Sequence, residues 1–204
     1  MTRTGRPRKA NPGEQLAKAM NLFWRKGYFD TSIDDVVAET GANRFGLYAR
    51  YGGKRGLFDK ALQLYRVEVM GRFLAPLAGK DPSLPELQSF FAQFADFIDD
   101  PRGHLGCLMC TTASEVSAHD PLIAGRIRTY LTDMRRLLRD AAARAMAKGE
   151  IAADVDSDET ADYLVGAVLG LMSYARSPVP RDQVHGYLRG VLRTLERLAG
   201  RSDR

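Results

Sequence analysis

Residues 31–51, TSIDDVVAETGANRFGLYARY, decide the fold of this chain. Ser32 followed three positions later by Asp35 is a capping-box pattern, which predicts a short helix beginning at the next residue. Gly41 then predicts a tight turn, and Asn43 is a good N-cap for a second short helix that runs to the end of the stretch. Two short helices joined by a glycine-containing turn predict a helix-turn-helix, whose second helix enters the DNA major groove.

One preceding helix completes a three-helix unit, and a longer linking helix follows it. A preceding helix is predicted over 13–26, because its apolar residues recur on one face. A longer helix is predicted over 54–74, after the break at Gly52-Gly53. The sequence therefore predicts a helix-turn-helix DNA-binding domain over 13–62, with a linking helix to about residue 75.

The rest of the chain also follows helical spacing, and strand signals are few. The proline-rich stretch 76–85 is the natural domain boundary. Beyond it, helices are predicted over 84–99, 104–118, 121–148, 157–176 and 181–199. The fold class is therefore all-α, with a second helical domain over 76–204.

The composition is that of a soluble globular protein, with 45% apolar and 27% charged residues. Residues 1–60 hold 12 Lys or Arg against 6 Asp or Glu, a net of +6, while the remainder holds 18 against 19. Such asymmetry indicates a polyanion-binding module joined to a neutral one. The beginning of the chain is polar and no apolar stretch is long enough to span a bilayer, so we expect a cytoplasmic protein without membrane contact.

The second short helix is expected to direct Arg44, Phe45, Ala49 and Arg50 outward. Arginine donates two hydrogen bonds to guanine, and Phe45 or Ala49 can contact a thymine methyl group. Lys54 opens the next helix and is expected to bind a phosphate beside the free backbone amides there.

Residues 16–62 resemble the TetR family of bacterial repressors. The matching residues are Leu22-Phe23, Lys26-Gly27-Tyr28, Thr31-Ser32-Ile33, Ala38, Gly41-Ala42, Leu47-Tyr48, Tyr51-Gly52, Lys54 and Leu57-Phe58. The resemblance implies that Thr31, Tyr48 and Lys54 contact phosphates. It also implies that base edges are approached by Asn43, Arg44, Phe45 and Arg50. Phe45, Arg50 and Gly53 depart from the common pattern, which leaves the operator sequence open.

The first twelve residues are expected to form a flexible basic arm. Gly5-Arg6-Pro7-Arg8-Lys9 resembles the core of an AT-hook, in which Arg6 and Arg8 would lie in an A·T minor groove. The alternative is a disordered tail that attracts phosphates without reading sequence.

The resemblance implies that the second domain forms a dimer interface and a ligand pocket. The last two helices carry the apolar residues predicted for a homodimer: Leu164, Val168, Leu171, Leu188, Val191 and Leu195. The alternative is that these residues face their own subunit's core. The predicted pocket residues are Phe94, Cys107, Met109, Cys110, Ile127, Tyr130 and Met134, suited to a mostly apolar small molecule of unknown identity.

Gly106-Cys107-Leu108 at the start of a helix resembles TetR-family members that sense electrophiles or oxidants through a cysteine. A thiolate near a helix N-terminus is nucleophilic, and Cys110 one turn later would act as a resolving thiol. The alternative is that both cysteines are inert core residues. With one CxxC pair and three histidines, no metal site and no cofactor are predicted.

These features together predict a ligand-responsive repressor that binds a palindromic operator as a dimer. Phosphate-loop, zinc-protease and nucleophile-elbow motifs do not occur in the sequence, so we expect no enzyme activity. Two other functions stay open: an architectural DNA-binding protein without a ligand, and a thiol-based redox enzyme.

Overall fold

A computed structural model describes residues 11–199, of which every regular element is helical and none is a strand. The α-helices are α1 Pro12–Lys26, α2 Ile33–Thr40, α3 Arg44–Tyr51, α4 Lys54–Tyr65, α5 Gly71–Leu74, α6 Leu84–Asp99, α7 Leu108–Glu115, α8 Pro121–Ala147, α9 Ser157–Arg176 and α10 Arg181–Ala199. The predicted all-α fold, with its N-terminal helix-turn-helix, is confirmed. Along this part of the chain, no helix has the length and apolar content that a membrane span requires.

The chain divides into two units, Met1–Tyr65 and Arg66–Arg204. In the first unit, α1 packs against α4 and α2, and α3 packs against α4. Aromatic rings fill its core: Phe23 meets Phe58 edge-on at 4.9 Å, and Trp24 meets Tyr65 at 5.0 Å. These edge-on ring contacts hold α1 against α4.

The second unit is built from two main helix pairs. α8 packs along α9, and α6 packs along α10. The contact faces bury the apolar stripes of all four helices, among them Phe90, Ile123, Leu171 and Leu188. This unit encloses a cavity described below.

Two predicted helices differ from the structure. The helix predicted over 54–74 is interrupted by a π-helical turn, Arg66–Met70, at the start of the second unit. The helix predicted over 104–118 begins only at Leu108, because Gly106 adopts a φ of 61° and lies tightly against the backbone of α9. Inserted turns of this kind follow from tertiary packing and are common at functional sites.

Candidate nucleic-acid interface and effector cavity

Local sequence fixes the position of α3. Gly41 ends α2 in the left-handed conformation, with φ 66°, which lets the chain reverse direction without steric strain. The side-chain oxygen of Asn43 accepts a hydrogen bond from the Gly46 amide at 2.6 Å and so caps the start of α3. Leu47 is buried beneath the helix, and the opposite face of α3 therefore points to solvent.

The outer face of α3 carries the side chains that sequence analysis assigned to DNA. Phe45 is 84% exposed and Tyr48 is 48% exposed, an unusual state for large aromatic residues. At 100° per residue, Phe45 and Ala49 lie at the centre of this face, with Arg44 and Tyr48 on one flank and Arg50 on the other. An exposed aromatic residue between two arginines is a surface suited to base edges and phosphates.

Arg44 does not stand free on this surface. Its guanidinium pairs with the carboxylate of Asp34 on α2, and both side chains are exposed. An exposed ion pair contributes about 0–1 kcal/mol, so DNA can displace Asp34 at little cost.

Lys54 lies at the first residue of α4, as predicted. Its Nζ is 4.4 Å from the centre of the Tyr28 ring and 3.4 Å from the carbonyl oxygen of Phe29. Burial lowers the pKa of Lys54, and the nearby carboxylates of Asp30 and Asp35 oppose that shift. The amine is thus held in place at the start of the helix, where a phosphate would also meet backbone amides.

The structure corrects the expectation for Thr31. This residue is fully buried, and its hydroxyl donates a hydrogen bond to the carbonyl oxygen of Gly27 at 2.7 Å. A direct phosphate contact by Thr31 is therefore wrong for this conformation. The side-chain oxygen of Asn43 already caps α3, and its side-chain NH₂ is the donor that it can offer to a base.

A cleft beside α3 was not anticipated from the sequence. It encloses about 470 Å³ and is lined by Arg50, by Asn43 and by Asn11 and Pro12 at the start of α1. Asn11 caps α1 by accepting a hydrogen bond from the Gly13 amide, and Glu14 completes a capping box. The Asn11-Pro12 pair was the available sequence signal. Arg6 and Arg8 lie outside the described residues.

The second unit contains a small apolar cavity. Its volume is about 10 Å³, the space of about one water molecule. It is lined by Met70, Phe73, Leu74, Phe90, Phe94, Cys107, Tyr130, Met134, Val168 and Met172. Four of the predicted pocket residues, Phe94, Cys107, Tyr130 and Met134, therefore meet at one cavity.

Three predicted pocket residues do not line this cavity. Met109 and Ile127 are buried elsewhere in the unit's core. Cys110 borders a separate groove of about 200 Å³, with Glu115 and Arg176 among its lining residues. Sequence reasoning missed Met70 and Val168 because they come from elements remote in sequence from the predicted pocket helices.

Sulfur and hydroxyl groups cluster on one side of the cavity. The Cys107 Sγ lies 3.8 Å from the Met70 Sδ. The Tyr130 hydroxyl donates to the Met70 Sδ at 3.2 Å and lies 3.8 Å from the Met134 Sδ. Three elements that are distant in sequence thus converge on this point.

The two cysteines lie side by side in a sheltered environment. Cys107 is 2% exposed and Cys110 is half-buried. The hydrogen bond with Cys107, together with burial, raises the pKa of the Cys110 thiol well above its ordinary value. Burial, together with the neighbouring Cys107 and Cys110, raises the pKa of Tyr130. The raised pKa favours the protonated thiol at Cys110, and the resolving role of Cys110 stays a prediction.

The structure also corrects the predicted dimer residues. Leu164, Val168, Leu171, Leu188, Val191 and Leu195 are all at most 3% exposed in the single chain. They pack α9 and α10 into their own subunit, which was the open alternative, because each apolar stripe faces neighbouring helices of the same chain. A second chain cannot reach them without unfolding the unit.

The outer face of α9 and α10 carries different residues. Tyr163 is 49% exposed and Tyr187 is 38% exposed. Gly166 and Gly190 lie mid-helix and exposed, and a Cβ on either would meet nothing within 4 Å. The Tyr163 hydroxyl approaches the Thr194 hydroxyl at 3.5 Å, which shows that the two helices share this face.

In the described residues, the first unit has four helices with α3 exposed, and the second unit is helical with an internal cavity. This is the architecture of a helix-turn-helix transcription regulator. Residues 16–61 match the family model of bacterial regulatory proteins of the tetR family. Residues 83–190 match the model of the tetracyclin repressor-like C-terminal domain. The chain therefore belongs to the TetR family, and the predicted resemblance is confirmed.

Individual relatives agree with this assignment. The chain is 31% identical over 173 residues to the HTH-type transcriptional repressor ComR of Escherichia coli K12, covering 84% of this chain and 82% of ComR. It is 27% identical to the uncharacterized HTH-type transcriptional regulator YezE of Bacillus subtilis 168, covering 90% of this chain and 95% of YezE.

Solved structures share the fold. A cysteine mutant of the TetR family regulator CifR, complexed with 26-bp double-strand operator DNA, superposes with a TM-score of 0.77 at 26% identity, covering 93% of this chain and 98% of CifR. A TetR regulator from Chloroflexus aurantiacus superposes with a TM-score of 0.80 at 26% identity, covering 90% and 93%.

Proposed function

We propose that this protein is a repressor that binds a palindromic operator as a homodimer and is released by a small apolar or electrophilic molecule. The observation that carries the proposal is the outer face of α3, where Phe45 is 84% exposed within the region of net positive charge. Among the described residues 11–199 the Phe45 ring stays largely exposed to water, and a thymine methyl group would give it an apolar contact. The CifR complex with operator DNA supports this reading.

The proposed dimer uses the outer face of α9 and α10 that is formed by Tyr163, Gly166, Tyr187 and Gly190. A glycine in the interior of an exposed helix costs about 0.5–1 kcal/mol relative to alanine. Gly166 and Gly190 have no internal steric need for glycine, because nothing lies within 4 Å of a Cβ there. A second copy of the chain that packs closely on this face would explain why glycine occurs at both positions. Exposed tyrosines are typical of such interfaces.

The proposed effector site is the cavity at Phe94, Tyr130 and Met134. Its lining is almost wholly apolar, which favours an apolar effector. At about 10 Å³ it is closed to a drug-sized molecule, so an effector must bind a more open conformation. That difference in affinity between two conformations is what could release DNA.

Cys107 is the proposed target of an electrophilic effector. Its thiol faces the cavity but is buried, so alkylation requires the same opening motion. Fast alkylation of Cys107 that releases operator DNA supports this part of the proposal. If Cys107 reacts with electrophiles but operator DNA stays bound, only non-covalent ligands remain as effectors in the proposal.

Selection from a random duplex library tests the DNA-binding proposal. The selected sites should be inverted repeats, and Phe45→Ala should lower the preference at one position of each repeat. Leu122→Ala is the matched control, since Leu122 is also a large apolar residue on the surface, at 39% exposure, but lies in the second unit. Equal effects of the two variants would contradict the role of α3.

Thermal unfolding tests the effector proposal. Apolar small molecules that bind the cavity should raise the melting temperature with concentration. Phe94→Trp should abolish that shift by filling the cavity, while operator binding by the variant shows that it remains folded. If no apolar or electrophilic compound shifts the melting temperature or releases DNA, the architectural alternative is favoured.

A further inference from the structure

The sulfur atoms that line the cavity of the second unit can bind a metal ion, which an apolar effector does not require. Cys107, Met70 and Met134 supply one thiol and two thioethers to a single wall of the cavity. Such soft ligands select soft monovalent ions. Within the described residues 11–199, no group of three or more His, Cys, Asp or Glu side chains could hold a metal ion.

The geometry points to a binding site for one soft monovalent metal ion, of the Cu(I) or Ag(I) class, held by the Cys107 thiolate and the Met70 thioether with Met134 as a third sulfur. The inference rests on the proposed function only in treating this cavity as the effector site.

The distance between the first two sulfurs fits a shared ion. Metal–thiolate bonds are about 2.3 Å long, so two sulfurs on one ion lie about 3.8–4.0 Å apart in tetrahedral or trigonal sites. The Cys107 Sγ and the Met70 Sδ are 3.8 Å apart. These two atoms need little movement to become ligands.

Met134 and Tyr130 complete the arrangement. The Tyr130 hydroxyl lies between the two thioethers, at 3.2 Å from Met70 and 3.8 Å from Met134. Its hydrogen bond to the Met70 Sδ holds that sulfur at the cavity wall, with the Met134 sulfur close beside it. Met134 has three rotatable bonds, which allow its sulfur to swing onto the ion.

Charge and volume favour a monovalent ion over a divalent one. One thiolate and one monovalent cation make a neutral pair, which an apolar cavity accepts at far lower cost than a net charge. A divalent cation on the same ligands leaves one positive charge among Phe90, Phe94 and Val168. The cavity of about 10 Å³ has no space for an ion that keeps its water shell.

Binding is a ligand exchange without oxidation or reduction. The Cys107 S–H bond breaks, a sulfur–metal bond forms, and the proton passes to the solvent. The ion then connects the end of the π-helical turn Arg66–Met70, the residue before α7, and α8. Connecting three elements of one unit should raise the stability of that unit.

Competition with bathocuproine disulfonate for Cu(I), on the full reduced chain without oxygen, tests the site. We expect one Cu(I) per chain and sulfur-only coordination in the X-ray absorption spectrum. Met70→Leu should weaken binding by roughly tenfold or more, and Met134→Leu by less. Met109→Leu is the matched control, because Met109 is equally buried but lies outside the cavity lining. Leucine replaces buried methionine at small cost, so all three variants should fold.

Three results would overturn the inference: no Cu(I) binding, equal affinity in the three methionine variants, or Zn(II) bound as tightly as Cu(I). Ag(I) in place of Cu(I) checks the result without oxidation chemistry. Operator binding without metal is measured in parallel. Its loss would count against the proposed function alone, while its retention with failed Cu(I) binding counts against the metal site alone.

Discussion

Arg44 and Lys54, two of the cations assigned to DNA in the first unit, have different environments. The Arg44 guanidinium is exposed and held by Asp34, while the Lys54 amine is fixed between the Tyr28 ring and the Phe29 carbonyl oxygen. Arg44 stands on the recognition helix and Lys54 at the start of α4. We propose that Arg44 contacts a base edge and that Lys54 contacts a phosphate.

This division predicts different behaviour for two alanine variants. Arg44→Ala should relax base preference at one position of each half-site, at a cost of about 1–3 kcal/mol per contact. Lys54→Ala should weaken binding to all sequences alike and reduce the salt dependence. Affinities for matched and mismatched duplexes at several salt concentrations separate the two effects. If the variants lose affinity in the same pattern, the assignment of base and phosphate roles is wrong.

Asp35 makes the stability of the helix-turn-helix unit depend on pH. Hydrogen bonds from Ser32 and Lys26 lower the pKa of Asp35 from 3.8 to about 2. A carboxylate with a lowered pKa in the folded state adds stability that is fully present above its unfolded pKa and is lost as the pH falls through the folded value. The loss should therefore lie between about pH 4 and pH 2.

Asp35→Asn should remove that pH-dependent part of the stability. Trp24 is the single tryptophan and is buried in the first unit, so its fluorescence during urea unfolding reports this unit. The stability difference between the wild type and Asp35→Asn should be largest near neutral pH and shrink below pH 4. Asp96→Asn, in the second unit, is the control. A difference that does not change with pH would contradict the role of Asp35.

At the scale of elements, capping and periodicity sufficed to predict most helices. Ser32 and Asn43 cap α2 and α3 as the sequence predicts, because a cap is a contact between neighbours in the chain. The π-helical turn Arg66–Met70 and the extended Cys107 could not be predicted in this way. Both depend on packing against elements remote in sequence.

The candidate sites were only partly predictable for the same reason. The exposed face of α3 follows from helical periodicity, so Phe45 and Arg50 were placed correctly outside. Thr31 has a polar side chain but is buried, because its hydroxyl satisfies a carbonyl oxygen four residues earlier. An apolar stripe predicts that a helix face is buried, but it does not identify the element that covers this face. For this reason Leu164 and Leu188 were assigned to a dimer although they face the core of their own subunit.

The outer face of α9 and α10 gives a prediction at this scale. Gly166→Leu should place a bulky side chain on that face and shift the protein from dimer to monomer. Gly125→Leu is the control, because Gly125 also lies within a helix with nothing within 4 Å of a Cβ. Sedimentation equilibrium of both variants measures the change. Equal dimer content in the two variants would contradict the proposed face.

At the scale of the whole molecule, the net positive charge is concentrated in the N-terminal part of the chain. Residues 1–60 carry the net positive charge of +6, and the remainder is close to neutral. This distribution supports the proposal that the first unit binds phosphates, while the second unit assembles the proposed dimer and binds an effector. A binding constant that falls steeply with salt is expected for the full chain.

We propose above all that two copies of this chain bind one palindromic operator through α3. Native mass spectrometry of the full chain with a selected operator, and with the same duplex cut to a single half-site, tests it most directly. We predict an even number of chains on the intact operator and much weaker binding to the half-site, because two recognition helices related by a two-fold axis require two mirrored half-sites. A single chain bound equally well to both duplexes would contradict the account.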